Sequence, residues 1–378
     1  MSNEPGTGLA AYFGEIPDPR VAGRCDHLFI EILIIAVCAA ITGAESWVEV
    51  ETFGKTKESW LKGFLKLPGG IPSHDTFGRV FAAIDGKAFE SCFARWVEGV
   101  FRVTDGQVVA IDGKTVRGSS DKNTGRNAIH MVSAWAHDSG IVLGQKKVDD
   151  KSNEITAIPE LLRLLDVSGC IVTIDAMGCQ TNIAQKIREA KAEYVLCVKE
   201  NQPNLYQDLA DWFAYADQQG LTAPNCTFHE TVNKDHGRIE IRRCWAISDP
   251  RAFEVIGHYD GWVDLHSIIR VYRERRLGDV VQHDTHYYIS SLPNDASHLL
   301  SVIRAHWSIE NSLHWVLDVT FAEDAARIRV GNAPQNMAVL HHLALNILKQ
   351  DQSKGSIRQK RYKAALDDAF LTRLLAHF

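Results

Sequence analysis

The first hundred residues carry apolar side chains at the three- and four-residue spacing of amphipathic helices. Strand-like alternation is lacking between residue 8 and about residue 100, and Pro72 and Ser73 form a start signal for one of the helices. We therefore predict a small helical N-terminal domain over residues 8–103. The apolar positions of its three clearest helices are Phe29, Ile32, Leu33 and Val37; Trp47, Val50 and Phe53; and Phe77, Val80, Phe81 and Ile84.

From residue 108 the pattern changes to short apolar runs separated by Gly, Asp and Ser, which are typical of strands. Three consecutive runs predict an antiparallel meander. A helix, a fourth strand, a second helix and a fifth strand then follow, and this order predicts a mixed α/β sheet with helices against its faces. The predicted strands are 108–111, 128–136, 140–148, 170–176 and 194–199, and the predicted helices are 152–167 and 182–192.

The last third of the chain returns first to β-like alternation and then to helix. The alternation covers residues 226–291, and the helical pattern begins near Asp295. The stretch "KGSIRQKRYK" (354–363) holds five basic residues and no acid. A run this short is more typical of a solvated helix face than of a DNA contact. We assign residues 351–378 to a basic helical C-terminal tail.

Charge and cysteine usage narrow the setting of the protein. The net charge is −6 and the pI about 6.2, so any anionic partner must be held by local basic patches. The eight cysteines form no C-x-x-C pair, and most lie in apolar stretches, which favours a reducing, cytoplasmic setting. The longest apolar run, 32–44, is too short to span a bilayer and starts too late for a signal peptide, so we expect no membrane partner.

Two aspartates follow apolar runs in the same way. Asp112 stands in "VVAIDGKTVRG" and Asp175 in "IVTIDAMGCQ", and each is followed by a small residue. On adjacent strands of one sheet, their carboxylates would lie side by side and repel each other unless a cation sat between them. Mg²⁺ takes oxygen ligands and is the natural occupant. The sequence therefore predicts a divalent-cation site at this edge of the sheet.

Glu310 is the best candidate for a third acid. In "IRAHWSIENSLHWVLDVTF" the residues His306, Glu310, His314 and Asp318 are spaced by four, which stacks them on one helix face. A polar stripe of this kind is costly to bury without a purpose or a partner. It would suit a helix that lies across the strand ends.

Simpler interpretations of these residues stay open. An aspartate at a strand end is more often a turn former or a helix cap, and a His/Glu/His stripe is more often a solvated face. A phosphate-binding loop is excluded because its motif requires glycine at position 108, which is Val108 here. A mononuclear zinc hydrolase fits poorly, since H-E-x-x-H places its histidines four apart, whereas His306 and His314 are eight apart with Glu310 midway.

These motifs resemble those of the DDE transposases of the H-repeat-associated group, the ISAs-one family of insertion sequences. The resemblance runs from about residue 8 to 350 and rests on many ordered blocks. The blocks are "YFGEIPDPR", "IPSHDTFGRVFAAID", "AIDGKTVRGS", "KSNEITAIPELL", "IVTIDAMGCQ", "YVLCVKENQPNL", "HGRIEIRR", "YYISSL" and "HWSIENSLHWVLDVTFAEDAARIR".

The resemblance implies a ribonuclease-H-like catalytic domain over residues 104–350, with 226–291 as a β-rich insertion. It also implies that Asp112, Asp175 and Glu310 are the catalytic triad and bind two Mg²⁺ or Mn²⁺ ions. Asp112 would bridge the ions, while the other two acids would each hold one. Water would first free a 3′-hydroxyl at the element end, and that hydroxyl would then attack target DNA.

The expected partner is double-stranded DNA, both the terminal inverted repeats of the element and the target. We expect a homodimer or higher oligomer on DNA, in the bacterial cytoplasm and associated with the nucleoid. Cations and amides near the acids are candidates for DNA contact, Lys114 and Arg117 first among them because they follow Asp112. The full set of DNA-binding candidates is Lys114, Arg117, Lys199, Asn201, Gln202, His236, Arg238, Arg304, His306 and Asn311.

The chain departs from related DDE transposases around the glutamate. Their pattern Y-x-x-R-x-x-x-E-x-x-x-x-x-x-K has Ile303, His306 and Leu317 here at the Tyr, Arg and Lys positions, and Arg304 is a possible substitute cation.

Two other functions compete with that of an active transposase. One is a degenerate or domesticated relative that binds DNA without moving it, and the other is a plain Mg²⁺-dependent nuclease. The presence of all three acids favours an active transposase.

Overall fold

The structure is a computed structural model and describes residues 8–101, 105–121, 124–149, 152–220, 225–235, 237–256 and 261–376. The chain divides into two compact units. Unit 1 comprises residues 1–102, 113–153 and 310–378, and unit 2 comprises residues 103–112 and 154–309. These units do not follow the sequential domains expected from the sequence, and the boundaries at residues 103 and 350 stay a prediction.

Unit 1 opens, within the described residues, with six helices that confirm the helical N-terminal pattern. The start signal at Ser73 is a true N-cap, because its hydroxyl accepts a hydrogen bond from the backbone N–H of Thr76 at 3.3 Å. Ser46 and Glu49 form a capping box at the start of another helix. The helices are α1 (Leu9–Phe13), α2 (Phe29–Thr42), α3 (Trp47–Thr56), α4 (Glu58–Leu61), α5 (His74–Ala83) and α6 (Gly86–Val100).

The remainder of unit 1 packs strands and C-terminal helices around one buried helix. The strands are β2 (Ile129–Ala136) and β3 (Ile141–Lys147), which pair antiparallel, and the last part of β1 (Val108–Val116), which the two units share. The helices are α12 (Trp315–Val319), α13 (Ala333–Gln350), α14 (Ile357–Leu366) and α15 (Asp368–Leu375). Every side chain from Ala333 to Leu348 is buried, so α13 is the centre of this core.

The basic run at 354–363 is only in part the solvated helix face that the sequence suggested, since Lys354, Arg358 and Lys363 are exposed. Lys360 and Arg361 in α14 are buried. The Arg361 guanidinium donates to the backbone carbonyls of Thr320 and Ala40 and lies 4.1 Å over the Phe321 ring. These cations therefore hold the core together, and the spacing of charges along the sequence could not show this.

Unit 2 contains the mixed sheet, and its strands run in the order β1-β4-β5-β9-β8-β7-β6. The pairs β1–β4 and β4–β5 are parallel, and every pair from β5–β9 onward is antiparallel. The strands are β4 (Ile171–Ile174), β5 (Glu193–Val198), β6 (Cys226–Asp235), β7 (Arg238–Ile247), β8 (Ser267–Leu277) and β9 (Val280–Ser290), together with the first part of β1. The mixed α/β class and the β-rich character of 226–291 are confirmed.

Unit 2 also contains helices, of which all but the last lie between strands in the chain. They are α7 (Glu154–Leu162), α8 (Thr181–Glu189), α9 (Pro203–Gln218), α10 (Pro250–Val255) and α11 (Ala296–His306). Helix α7 is shorter than the predicted helix 152–167. It contains Pro159, which lacks a backbone N–H to donate. Leu299, Leu300 and Ile303 of α11 join a buried cluster with strand residues such as Val195 and Ile269. This packing fixes α11 against one face of the sheet.

Among the described residues, no single helix is both long and apolar enough to cross a bilayer. The pair Phe29–Thr42 and Trp47–Thr56 meets those criteria only when taken together, across a bend of 96°.

Asn346 of α13 should be important for the stability of unit 1. Its side chain is fully buried and makes two hydrogen bonds to Val142 of β3, accepting from the backbone N–H and donating to the carbonyl, both at 2.8 Å. We expect Asn346→Leu to lower the free energy of unfolding by roughly 2–5 kcal/mol, because two buried backbone groups lose their partner. Urea denaturation followed by circular dichroism measures the change. Asn182→Leu, at an exposed helix position, is the control, and an equal loss there would contradict the assignment.

Candidate active site

The parallel pairing of β1 with β4 sets the positions of the two aspartates. Val108 to Ile111 pair in order with Ile171 to Ile174, and Asp112 and Asp175 are the next residues after these two runs. Neighbouring strands lie about 4.8 Å apart, so the continued register places the two acids side by side. One detail differs from the sequence prediction, because β1 does not end at Asp112 but continues to Val116.

Lys199 already provides a cation to one of these acids. Its ammonium Nζ lies 3.0 and 3.3 Å from the two carboxylate oxygens of Asp175. Burial alone would raise the pKa of Asp175, but the hydrogen bond from the backbone N–H of Ala176 and the Lys199 ammonium hold that pKa below its ordinary value. Asp175 is therefore ionised at neutral pH, and it presents a negatively charged oxygen pair to any cation.

The amides predicted to contact DNA support the loop after Asp175 instead. Asn201 donates from Nδ2 to the carbonyl of Ala176 at 2.6 Å. Gln202 donates from Nε2 to the carbonyl of Cys179 at 2.9 Å. Both side chains thus hold the backbone that carries Asp175. A DNA contact for either residue stays a prediction, and the structure gives each a positioning role that sequence reasoning missed.

His306 at the end of α11 is also held in place. Its Nδ1 lies 3.0 Å from the hydroxyl of Thr173, which is buried in β4 two residues before Asp175. The charge of His306 contributes to the lowered pKa of Asp175. The hydrogen bond orients the ring, and His306 therefore belongs to the surroundings of Asp175 within unit 2.

Glu310 lies in a π-helical turn, Glu310–His314, rather than in the regular α-helix that the four-residue spacing predicted. Such wide turns often occur at functional sites. His314 is 8% exposed and its Nδ1 lies 3.6 Å from Oε2 of Glu310, whereas the Glu310 side chain is half exposed. The glutamate therefore projects into solvent while its imidazole neighbour is buried. Asn311 in the same turn is exposed.

Lys114 has a different environment from the phosphate-facing position expected from the sequence. Only 10% of its side chain is exposed, and Nζ lies 2.8 Å from Asp318, 2.8 Å from Glu323 and 3.7 Å from Asp324. Its charge is already balanced by carboxylates of unit 1. Arg117 keeps 81% of its side chain exposed beside Asp324, so it can still reach a phosphate. We therefore assign Lys114 a structural role and retain Arg117 as a candidate for DNA contact.

Glu323 is the residue that sequence reasoning missed. It is almost fully buried and receives Lys114 on one oxygen, while Nδ1 of His341 lies 3.3 Å from the other. Burial would raise the pKa of Glu323, but the hydrogen bond with His341 and the charge of Lys114 lower it to about 2. The only hint in the sequence was an acidic pair, Glu323 and Asp324, inside the apolar context of "TFAEDAARI".

The remaining DNA candidates are spread over unit 2. Arg238 forms a salt bridge with Glu240 at 2.9 Å, and Arg304 is exposed on the last turn of α11. His236 lies outside the described residues. Within unit 2 the structure thus gathers Asp112, Asp175, Lys199 and His306, with the two amides behind them.

Comparisons with known families give consistent matches over most of the chain. A family model described as "Transposase DDE domain" matches residues 103–347. A second model, described as "DDE_Tnp_1-associated", matches residues 10–97. The first match alone covers more than half of the chain and includes Asp112, Asp175 and Glu310.

Two relatives from Escherichia coli are similar to this chain over nearly their whole length. Their names are "Putative transposase YncI" and "H repeat-associated putative transposase YhhI". YncI of strain O157:H7 is 42% identical over 374 residues, which are 97% of this chain and 94% of the relative. The H repeat-associated YhhI of strain K12 is 39% identical over 97% of each chain. A solved piggyBac transposase synaptic complex with hairpin DNA covers 96% of this chain and 76% of its own, at 10% identity. Its TM-score of 0.39 is below the level that indicates a shared fold.

The buried Glu323 carboxylate should make stability depend on pH. Its pKa is about 2 in the folded chain against an ordinary value of 4.5, so its contribution is complete above about pH 4.5 and is lost as the pH falls toward 2. We expect Glu323→Gln to lower the free energy of unfolding at pH 7 by roughly 3 kcal/mol, because Lys114 loses a buried partner. The difference from the wild type should narrow on acidification.

Urea denaturation across this pH range measures the effect. Glu98→Gln, at an exposed helix position, is the matched control. A difference between Glu323→Gln and the wild type that stays constant down to about pH 3 would show that this carboxylate is not the titrating group.

Proposed function

We propose, from the premise that this chain belongs to the H-repeat-associated family of DDE transposases, that it cuts DNA at the ends of an insertion sequence and joins the freed ends to target DNA. The observation that carries the proposal is the register of β1 on β4, which continues into Asp112 and Asp175. Paired carboxylates at neighbouring strand positions are the arrangement that this chemistry requires.

The donor atoms fit a divalent cation. Asp112, Asp175 and Glu310 offer carboxylate oxygens, which Mg²⁺ and Mn²⁺ prefer. The Lys199 ammonium, 3.0 Å from Asp175, acts as a stand-in cation and supports the view that Asp175 binds positive charge. The chain passes between its two units directly after Asp112 and directly before Glu310. We propose that these three residues hold two ions, which when bound would activate the attacking oxygen and stabilise the leaving oxygen.

The reaction that we propose has two steps of the same kind. Water attacks a phosphodiester at the element end, the P–O3′ bond breaks, and a 3′-hydroxyl is released. That hydroxyl then attacks a phosphodiester of the target, so that a new P–O bond forms and the target 3′-oxygen leaves. Lys199 keeps Asp175 ionised before DNA arrives, and its ammonium becomes available to a phosphate oxygen once another cation takes its place.

We further infer a ribonuclease-H-like arrangement for the catalytic part. The parallel order β1-β4-β5, the antiparallel pair β2–β3 and the strand positions of the two aspartates support this inference. Double-stranded DNA is the proposed partner, bound by a homodimer or higher oligomer in the bacterial cytoplasm.

Asp175→Asn should abolish joining while leaving DNA binding intact. The change keeps the side-chain shape but removes the charge that would hold a cation. We expect Mg²⁺-dependent joining of a labelled repeat end to fall by more than about a hundredfold, since even residues that only support a metal ligand change activity 10- to 100-fold. Gel analysis of joined products measures the loss.

Asp138→Asn is the control, because Asp138 is an exposed acid in the turn between β2 and β3. Joining that persists in Asp175→Asn would refute the triad. A wild type that yields cut ends but never joined products would instead identify a nuclease.

A further inference from the structure

The long strands β7 and β8 carry a concentration of arginines on one face. Side chains alternate between the two faces of a strand, and residues directly opposite in the ladder share a face. Arg242 is opposite Arg273, and Glu240 is opposite Arg275. We call this the arginine face, and it comprises Arg238, Arg242, Arg273, Arg275 and, from the last turn of α11, Arg304.

The arrangement brings like charges together at a cost. Two cations directly opposite each other in an antiparallel pair are destabilising. Burial lowers the pKa of Arg242 below its ordinary value, and the charges of Arg304 and Arg273 lower it further against the opposing effect of Glu240. A fold that retains such a cluster has a use for concentrated positive charge, and an anionic partner would remove the repulsion.

The carboxylates on this face do not balance its arginines. Arg242 and Arg238 share Glu240, and Arg273 pairs with Asp284 at 2.9 Å. Asp235, opposite Arg238, is the third acid on these rows. Within the described part of the chain, Arg275 and Arg304 make no hydrogen bond or salt bridge. Both side chains are exposed, so two guanidinium groups are available to an incoming ligand.

The arginine face lies on the same side of the sheet as Asp175. Cys197 of β5 is opposite Tyr288 of β9. The Cys197 side chain interacts with both Tyr288 and Asp175, so these three side chains lie on one face. His286 lies two residues before Tyr288. The pKa of His286 is influenced by the charge of Arg273 and also by the charges of Lys199 and Asp175. Asp175 is separated from Arg273 by three strand spacings across the sheet and by four residues along β9. This corresponds to a distance of roughly 20 Å.

We propose that the arginine face binds the phosphate backbone of the DNA duplex whose strand is cut at Asp175. Duplex DNA carries one negative charge per about 1.7 Å of its axis, so a duplex that spans roughly 20 Å presents many phosphates to this surface. This inference rests on the proposed function and assigns Arg242, Arg273 and Arg275 a role that the strand-transfer chemistry alone does not require. The contacts are to backbone phosphates, so they position DNA without reading its sequence.

Arg275 and Arg276 form a matched pair for the test. They are adjacent in β8 and point to opposite faces, and Arg276 pairs with Glu274 on the other face. Binding of the full-length protein to a labelled duplex of about 30 base pairs is measured in EDTA between about 50 and 200 mM salt. We expect Arg275→Gln to weaken binding about threefold, and the double variant Arg275→Gln/Arg304→Gln about tenfold. Arg276→Gln should stay within about twofold of the wild type.

The salt dependence gives a second readout. The slope of log affinity against log salt should become shallower by about 0.9 for each phosphate that the variant no longer neutralises, and it should be unchanged in Arg276→Gln. Equal effects of Arg275→Gln and Arg276→Gln would overturn the proposal, since only net charge would then matter. It would also be overturned if the double variant bound polyglutamate more weakly but DNA as tightly as before, which would indicate an acidic protein partner.

Joining assays separate this inference from the proposed function. Raising the DNA concentration should restore joining in the double variant, because its acids are intact, but not in Asp175→Asn. If the wild type joins DNA and the double variant binds DNA as tightly as the wild type, the arginine face is wrong and the transposase activity stands. If the wild type neither binds nor joins DNA, both proposals fail.

Discussion

The register between β1 and β4 is the constraint on which the candidate site depends. Four consecutive pairs of buried side chains, from Val108 with Ile171 to Ile111 with Ile174, fix it. A slip of one residue would turn Asp175 to the opposite face of the sheet, because side chains alternate along a strand. Residues that take no part in the chemistry therefore determine whether two carboxylates can share a cation.

Two lysines, one half-exposed and one buried, compensate the negative charge of acids in the two units. Lys199 neutralises Asp175 in unit 2, and Lys114 is buried among the acids that include Glu323 in unit 1. Removing one member of a buried pair leaves a charge without compensation, which is far more costly than losing an exposed pair. The network at Lys114 ties residues two to five positions after Asp112 to the segment that follows Glu310. Basic residues that resemble a DNA-binding motif in the sequence thus stabilise the backbone that lies next to Asp112 and Glu310 along the chain.

The sequence predicted the elements better than the partners of their side chains. Apolar spacing located three of the N-terminal helices, the first five strands and the β-rich character of residues 226–291, since burial on one face imposes a period that can be counted. It overestimated the length of α7, which ends at Leu162, and it missed the wide turn at Glu310, because a π-turn leaves no mark in the spacing. The partners of Lys114 and Asn201 depend on residues distant in the chain, and no local pattern reveals them.

The arginine face shows how a chain with a net charge of −6 can still present a basic surface. The segment "IIRVYRERRLG" holds four arginines, and the sequence alone does not say which of them point together. Pairing with β7 divides them: Arg273 and Arg275 share one face, while Arg270 and Arg276 lie on the other and pair with Asp217 and Glu274. Acids thus neutralise one face more fully than the other. Because exposed charges act only within about 10 Å at moderate salt, this local imbalance outweighs the net charge of the whole chain for any ligand at the surface.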